Sequence, residues 1–243
     1  MTKKWLIAIG IIVATLSWKA QAELVIEITG GSEAALPIAV VPFGSEGLAA
    51  PEDISEVIHN DLKGSGRFAP LAKQDLISLP HVKEDINFAD WRLLRSEGLL
   101  VGKVSSLDGE TYDVQFQLFD VYKTEQLIGK RYQVPASGLR RLAHQISDLV
   151  YQTLTGELGV FSTRLAFVTV IKGTDGNKRY VLQVSDADGA NPRTVLQSKE
   201  PIMSPNWSPE GERLSYVSFE NGKAEVFVQE MRSGRRDSVA AFK

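Results

Sequence analysis

Residues 203–217 read Met203-Ser-Pro-Asn-Trp-Ser-Pro-Glu-Gly-Glu-Arg-Leu-Ser-Tyr-Val217. Part of this stretch recurs upstream. Leu214-Ser-Tyr-Val217 matches Leu165-Ala-Phe-Val168, and Ala224–Gly234 matches Tyr180–Gly189 once a small loop difference is allowed. The offsets are 49 and 45 residues. A period of about 45 residues, built from short strands, is the spacing of a β-propeller blade. Turn pairs punctuate the same region at Asp175-Gly176, Asp188-Gly189, Glu210-Gly211, Asn221-Gly222 and Ser233-Gly234, and helical periodicity is missing from it. The expectation for 162–243 is therefore an all-β partial propeller of fewer than two blades. Closure takes about four blades or more, so such a stretch cannot close on itself and leaves an edge strand open to pairing.

The texture before Phe161 is different. Pro37-Ile-Ala-Val-Val-Pro-Phe43 is a continuous apolar run between prolines, a buried strand. Pro51-Glu52-Asp53 opens a helix whose apolar face is Ile54, Val57, Ile58 and Leu62, and Gly64-Ser65-Gly66 stops it. Arg67–Pro70 reads as a short strand and Phe88–Glu97 as a second helix. Leu99–Ser106, Tyr112–Asp120 and Glu125–Val134 read as three strands, the first two joined at Asp108-Gly109. Leu139–Leu154 is a third helix with Leu142, Ile146, Leu149, Val150 and Leu154 on one side, ended by Gly156. The order β-α-β-α-β-β-β-α predicts an α/β domain over 37–161, a sheet covered by helices.

At the start of the chain, Lys3 and Lys4 precede an uncharged apolar run from Trp5 to Leu16, and Ala20-Gln21-Ala22 follows. That is a secretory signal peptide over 1–22, with an apolar run short of the roughly 20 residues needed to span a bilayer. Cleavage there removes Lys3, Lys4 and Lys19 and no acid, taking the net charge from −3 to −6. Residues 23–36 then form an arm: Glu23-Leu-Val-Ile-Glu-Ile-Thr29 is extended and partly alternating, and Gly30, Gly31 and Ser32 break it. Such a strand either tucks onto its own domain or is offered to another protein by β-augmentation.

Composition narrows the function. Of the 243 residues, 43% are hydrophobic and 23% charged, a globular balance. An isoelectric point near 5.7 gives no basic footprint for nucleic acid. With no cysteine there is no disulfide, no thiolate metal site and no thiol nucleophile. Gly64–Ala69 fits G-x-G-x-x-A but follows a helix and precedes a strand, the reverse of a dinucleotide site. Phe43–Gly47 lacks the first glycine of a nucleophile elbow and reads as a flexible loop. Asp186–Asn191 has its glycine too early for a calcium loop and reads as a β-turn. His59, His81 and His144 are far apart and read as surface or helix-edge residues. Asp53/Glu56 and Glu84/Asp85 read as solvated charges, Trp91 as core and Trp207 as blade packing. No constellation supports catalysis, no metal set emerges and no cofactor is expected.

Several segments together resemble the TolB family of periplasmic Tol–Pal proteins: Pro37–Phe43, Asp61–Pro70, Leu154–Val168 with its T-G-x-x-G linker, and Met203–Val217 as a W-S-P-D-G repeat with Glu210 for the aspartate. The resemblance covers the chain after the signal peptide. It implies an α/β domain followed by a six-bladed propeller, here truncated to under two blades. It implies a non-enzymatic periplasmic adaptor joining TolA to the peptidoglycan-associated lipoprotein Pal, serving outer-membrane invagination at division and envelope integrity, and exploited in bacteriocin import. The family's TolA-binding arm maps onto Glu23, Leu24, Val25, Ile26, Glu27, Ile28, Thr29, Gly30, Gly31 and Ser32. The resemblance implies that Pal meets the propeller mouth, built by loops of all blades, most of which are missing from this sequence. The other classes are a fragment of a propeller-containing peptidase and a small-ligand or glycan-binding module.

Overall fold

The computed structural model describes residues 35–174 and 176–242. The signal peptide and the arm segment Glu23–Ser32 lie outside them. The first half is a mixed sheet. Strands β1 (Leu36–Val40), β3 (Phe68–Pro70) and β4 (Gly98–Ser106) run parallel, and β5 (Thr111–Asp120) and β6 (Glu125–Pro135) continue antiparallel, in the order β3-β1-β4-β5-β6. A short β2 (Gly44–Glu46) pairs in parallel with Lys103–Ser105, further along β4 than β1 does. This corrects the loop reading of Phe43–Gly47. Gly44 is needed there because a Cβ would sit 2.7 Å from the His81 ring.

Helices α1 (Ile54–Gly64) and α3 (Leu139–Thr155) pack on one face of the sheet, and α2 (Phe88–Leu93) lies in the core on the other. The continuous apolar run is explained by this layering. Side chains alternate across a strand, so Ile38, Val40 and Leu100 meet α1 and α3 while Ala39, Val41, Leu99 and Val101 meet Trp91. A strand covered on both faces has no polar side to show. Asp53 is the N-cap of α1, accepting from the Glu56 amide at 3.0 Å, so Pro51 and Glu52 precede the helix rather than form its first turn. Helix α2 stops at Leu93, short of Glu97: Leu94 caps it and Arg95 is left-handed at φ 57°. Helix α3 ends as expected on left-handed Gly156.

The second half is two antiparallel sheets. One holds β7 (Arg164–Lys172), β8 (Lys178–Asp186) and β9 (Arg193–Ser198); the other holds β10 (Ile202–Trp207), β11 (Arg213–Ser218), β12 (Glu225–Glu230) and β13 (Arg236–Ala241). Strand β10 lies against β7 and β8, and Leu182, Val184, Ile202, Leu214, Tyr216 and Phe227 form the core between the sheets. Each turn glycine of the region, from Gly176 to Gly234, has positive φ. The repeat places Leu165–Val168 in β7 and Leu214–Val217 in β11. Hence β7, β8 and β9 correspond to the last three strands of the second blade. Among the described residues nothing in the first sheet corresponds to β10, and one edge of β7 is unpaired.

Candidate functional site

The linker and one face of α3 join the two halves. Asp148 on α3 accepts the amides of Phe161 at 2.7 Å and Ser162 at 3.1 Å, which holds the linker along the helix. Gly159 lets the linker come this close: a Cβ there would lie 2.5 Å from the Asp148 Cα. Tyr151 stands edge-on to both Phe68 and Phe161, at 5.7 Å in each case, and so extends the α/β core into the linker.

Arg140, His144 and Ser147 lie one above another on α3 at i, i+4 and i+7. This polar stripe runs beside the buried Leu139, Leu142, Ala143, Ile146 and Val150. The Nδ1 of His144 is 2.8 Å from Asp61 Oδ2 on α1, and Ser147 Oγ donates to the same oxygen at 2.7 Å. On its other side, His144 Nε2 is 3.9 Å from Asp188 Oδ2 in the β8–β9 turn. Arg140 donates to Asp188, donates to Glu52 Oε1 at 2.9 Å, and places its Nε 3.9 Å from Asp186. The result is an ion network of two helices, the segment before α1 and the first blade.

Electrostatics follow from this geometry. Burial pushes the His144 pKa down, but the hydrogen bond and charge of Asp61, with Asp188 adding to them, outweigh it and the pKa is raised. Burial raises the Asp188 carboxyl, while the Ala190 amide, Arg140 and His144 outweigh it and hold it below its ordinary value. A histidine with a raised pKa binds its proton more tightly folded than unfolded. Its stabilisation is complete below the unfolded value of about 6.5 and is lost as pH rises through the folded value. Chemical denaturation at a series of pH values is expected to show stability falling above about pH 6.5, with a flatter profile in His144→Gln.

Ligand atoms of Asp61, His144 and Asp188 come within 4.8 Å of one another. The donor set fits a proton better than a metal ion: Asp61 already holds the His144 ring, and a guanidinium occupies Asp188. The Asp186–Asn191 segment is a turn, as expected. Gly189 has φ 85°, Asp188 Oδ1 accepts the Ala190 amide at 3.0 Å, and Asp186 accepts from Asn191 at 2.7 Å.

His144 corrects the surface reading, being 2% exposed. Asp61 is buried with it. Its position in the sequence carried a signal, since it follows Val57 and Ile58 at helical spacing on the apolar face of α1. Asp53 and Glu56 are bridged by Lys73, at 3.4 and 2.6 Å. Trp91 is fully buried. Trp207 packs against the blade core and carries the Arg164 guanidinium 4.4 Å above its ring. The arm residues Glu23–Ser32 remain outside the described residues.

Comparison with known proteins agrees with this layout. The TolB amino-terminal domain family matches residues 24–127, and the TolB beta propeller domain family matches 151–243. A Tol-Pal system protein TolB from Nitrosococcus oceani is 60% identical over 99% of this chain and 56% of its own length. One from Thioalkalivibrio sulfidiphilus is 46% identical over 92% of this chain and 52% of its own. The crystal structure of TolB from Acinetobacter baumannii superposes with a TM-score of 0.77 at 34% identity, over 86% of this chain and 50% of that one. The chain thus spans about half the length of the curated relatives it matches. With both TolB domains matched in order, and the α/β sheet and blades present as that order requires, the chain belongs to the TolB family.

Proposed function

We propose that this protein is a non-enzymatic periplasmic adaptor of the Tol–Pal system. The observation that carries the reading is the succession of an amino-terminal TolB domain and TolB propeller blades in one chain, at 60% identity to a protein of that system. In this reading Glu23–Ser32 is the contact for TolA. The alternation of Leu24, Ile26 and Ile28 with Val25 and Glu27 suits strand addition to a partner's sheet edge, where backbone hydrogen bonds supply affinity and alternate side chains supply specificity. Pal meets the propeller. The ion network on α3 fits the scheme, because it ties the α/β half of the chain to the first blade. Among the described residues no helix is long and apolar enough to cross a membrane.

The test is deletion of Glu23–Ser32. TolA binding is expected to be lost while the far-UV circular dichroism is nearly unchanged. Retained binding would overturn the assignment of the arm.

A further inference from the structure

A cleft of about 660 Å³ opens between α3 and the blade loops. Three guanidiniums from three elements line it: Arg141 from α3, Arg164 from the start of β7 and Arg193 from the start of β9. Arg140 also lines the cleft, but Glu52 and Asp188 occupy it. Among the described residues, the side chains of Arg141 and Arg193 have neither an ion pair nor a hydrogen bond, and both are exposed. Among the described residues the Arg164 guanidinium donates to the Gly211 carbonyl and lies over Trp207.

The acids in the wall offset the three only in part. Asp186 accepts from Asn191, faces Arg140 and also attracts Arg164, but its effect on Arg164 is smaller than that of either neighbouring arginine, and Glu210 is fixed within its own turn by Ser208 and its own amide. The like charges sense one another: burial, then Arg193 and then Arg141 lower the pKa of Arg164. A further donor belongs to a residue of the same wall: among the described residues, Trp207 Nε1 is buried without a hydrogen-bond acceptor. In a chain of net charge −3, a basic concavity is a local arrangement rather than a general bias.

We infer that this cleft is an anion site, taking a compact oxyanion of two or more negative charges on Arg141, Arg164 and Arg193. Guanidiniums present forked donors that match carboxylate and phosphate oxygens. The anion offsets the repulsion that folding builds up between them. It also lies between α3 and both blades, so its binding favours the arrangement in which all three arginines converge.

The experiment is isothermal titration of the full chain with inorganic phosphate and, separately, with citrate, at low ionic strength, against a chloride control of matched ionic strength. Saturable binding with one site per chain is expected for phosphate, for citrate or for both, which also distinguishes a phosphate from a polycarboxylate ligand. Arg141→Gln and Arg193→Gln are each expected to weaken it about tenfold, the loss of one charge-assisted contact. The double variant should eliminate it, and the distant Arg232→Gln should leave it unchanged. Among the described residues both side chains are free of partners, so the variants are expected to keep their fold, and relief of repulsion leaves their thermal midpoint equal or higher. Absence of saturable heat with either anion, or equal binding by the double variant, would overturn the inference.

Discussion

Replacing Asp61 with alanine is expected to lower the unfolding free energy by about 3–5 kcal/mol, the cost of removing one partner from a buried ion pair. The Asp61 side chain is 5% exposed and the His144 side chain 3%, so water cannot stand in for the lost carboxylate. His144 Nδ1 loses its acceptor outright. Ser147 falls back on the Ala143 carbonyl at 3.1 Å. Asp61→Asn keeps an oxygen in place but not the charge, and its cost should be smaller. The deficit should also depend on pH in a set direction. Because Asp61 raises the His144 pKa, its contribution is complete below about pH 6.5 and shrinks above the folded value. Urea denaturation of wild type and variant at acidic and mildly alkaline pH measures both. A loss below about 1 kcal/mol at acidic pH would show that the pair does not carry the α1–α3 contact.

Trp91→Ala is expected to cost about 3–5 kcal/mol as well, through a different cause. Trp91 is fully buried and is the largest side chain in the core between α2 and the sheet, where it meets Ala39, Val41, Leu99, Val101 and Phe119. Helix α2 has only six residues and cannot stand by itself. It is held by this ring and by Arg92, whose Nε donates to the Val121 carbonyl at 3.1 Å and whose Nη2 donates to Thr124 at 2.6 Å. The indole Nε1 has no partner among the described residues. Trp91→Phe therefore removes an unsatisfied donor along with some volume, and should cost much less than alanine. Hydrogen exchange should show protection lost first around 71–95, the layer that Trp91 anchors. Unchanged protection there would locate the helix's support elsewhere.

Much of this fold was legible because local chemistry and tertiary context agree. Gly156 reads as a helix stop and takes the left-handed conformation, and Asp108-Gly109 reads as a hairpin and is one, with Gly109 at φ 86°. The apolar run 37–43 reads as a buried strand since both its faces are covered. What escaped reading has a common cause. Strand β2 is three residues with two exposed side chains, so no periodicity marks it; the length of β4 beside it decides that it pairs. Helix α2 ends before the sequence suggests: Leu94 and Arg95 suit a helix by type, but Ser96 Oγ donates to the Gly98 carbonyl at 2.7 Å where the chain turns into β4. The α3 network was hidden for the same reason. Asp61 and Asp188 reach His144 and Arg140 from positions 83 and 48 residues away, which spacing does not reveal.

The open edge of β7 carries a further consequence, for how the chain survives before and after folding. Leu165-Ala-Phe-Val-Thr-Val-Ile171 is rich in β-branched and aromatic residues, holds no proline or charge, and among the described residues has no partner strand on one edge. That is the composition of a segment that templates intermolecular sheets. Arg164 and Lys172 bracket it, one positive charge at each end of the strand. They act as gatekeepers: two chains that stack this edge in parallel register must bring like charges together at both ends. Arg164 therefore has a second duty besides its place over Trp207. In a refolding intermediate that exposes β7, the charges of Arg164 and Lys172 are expected to favour solubility.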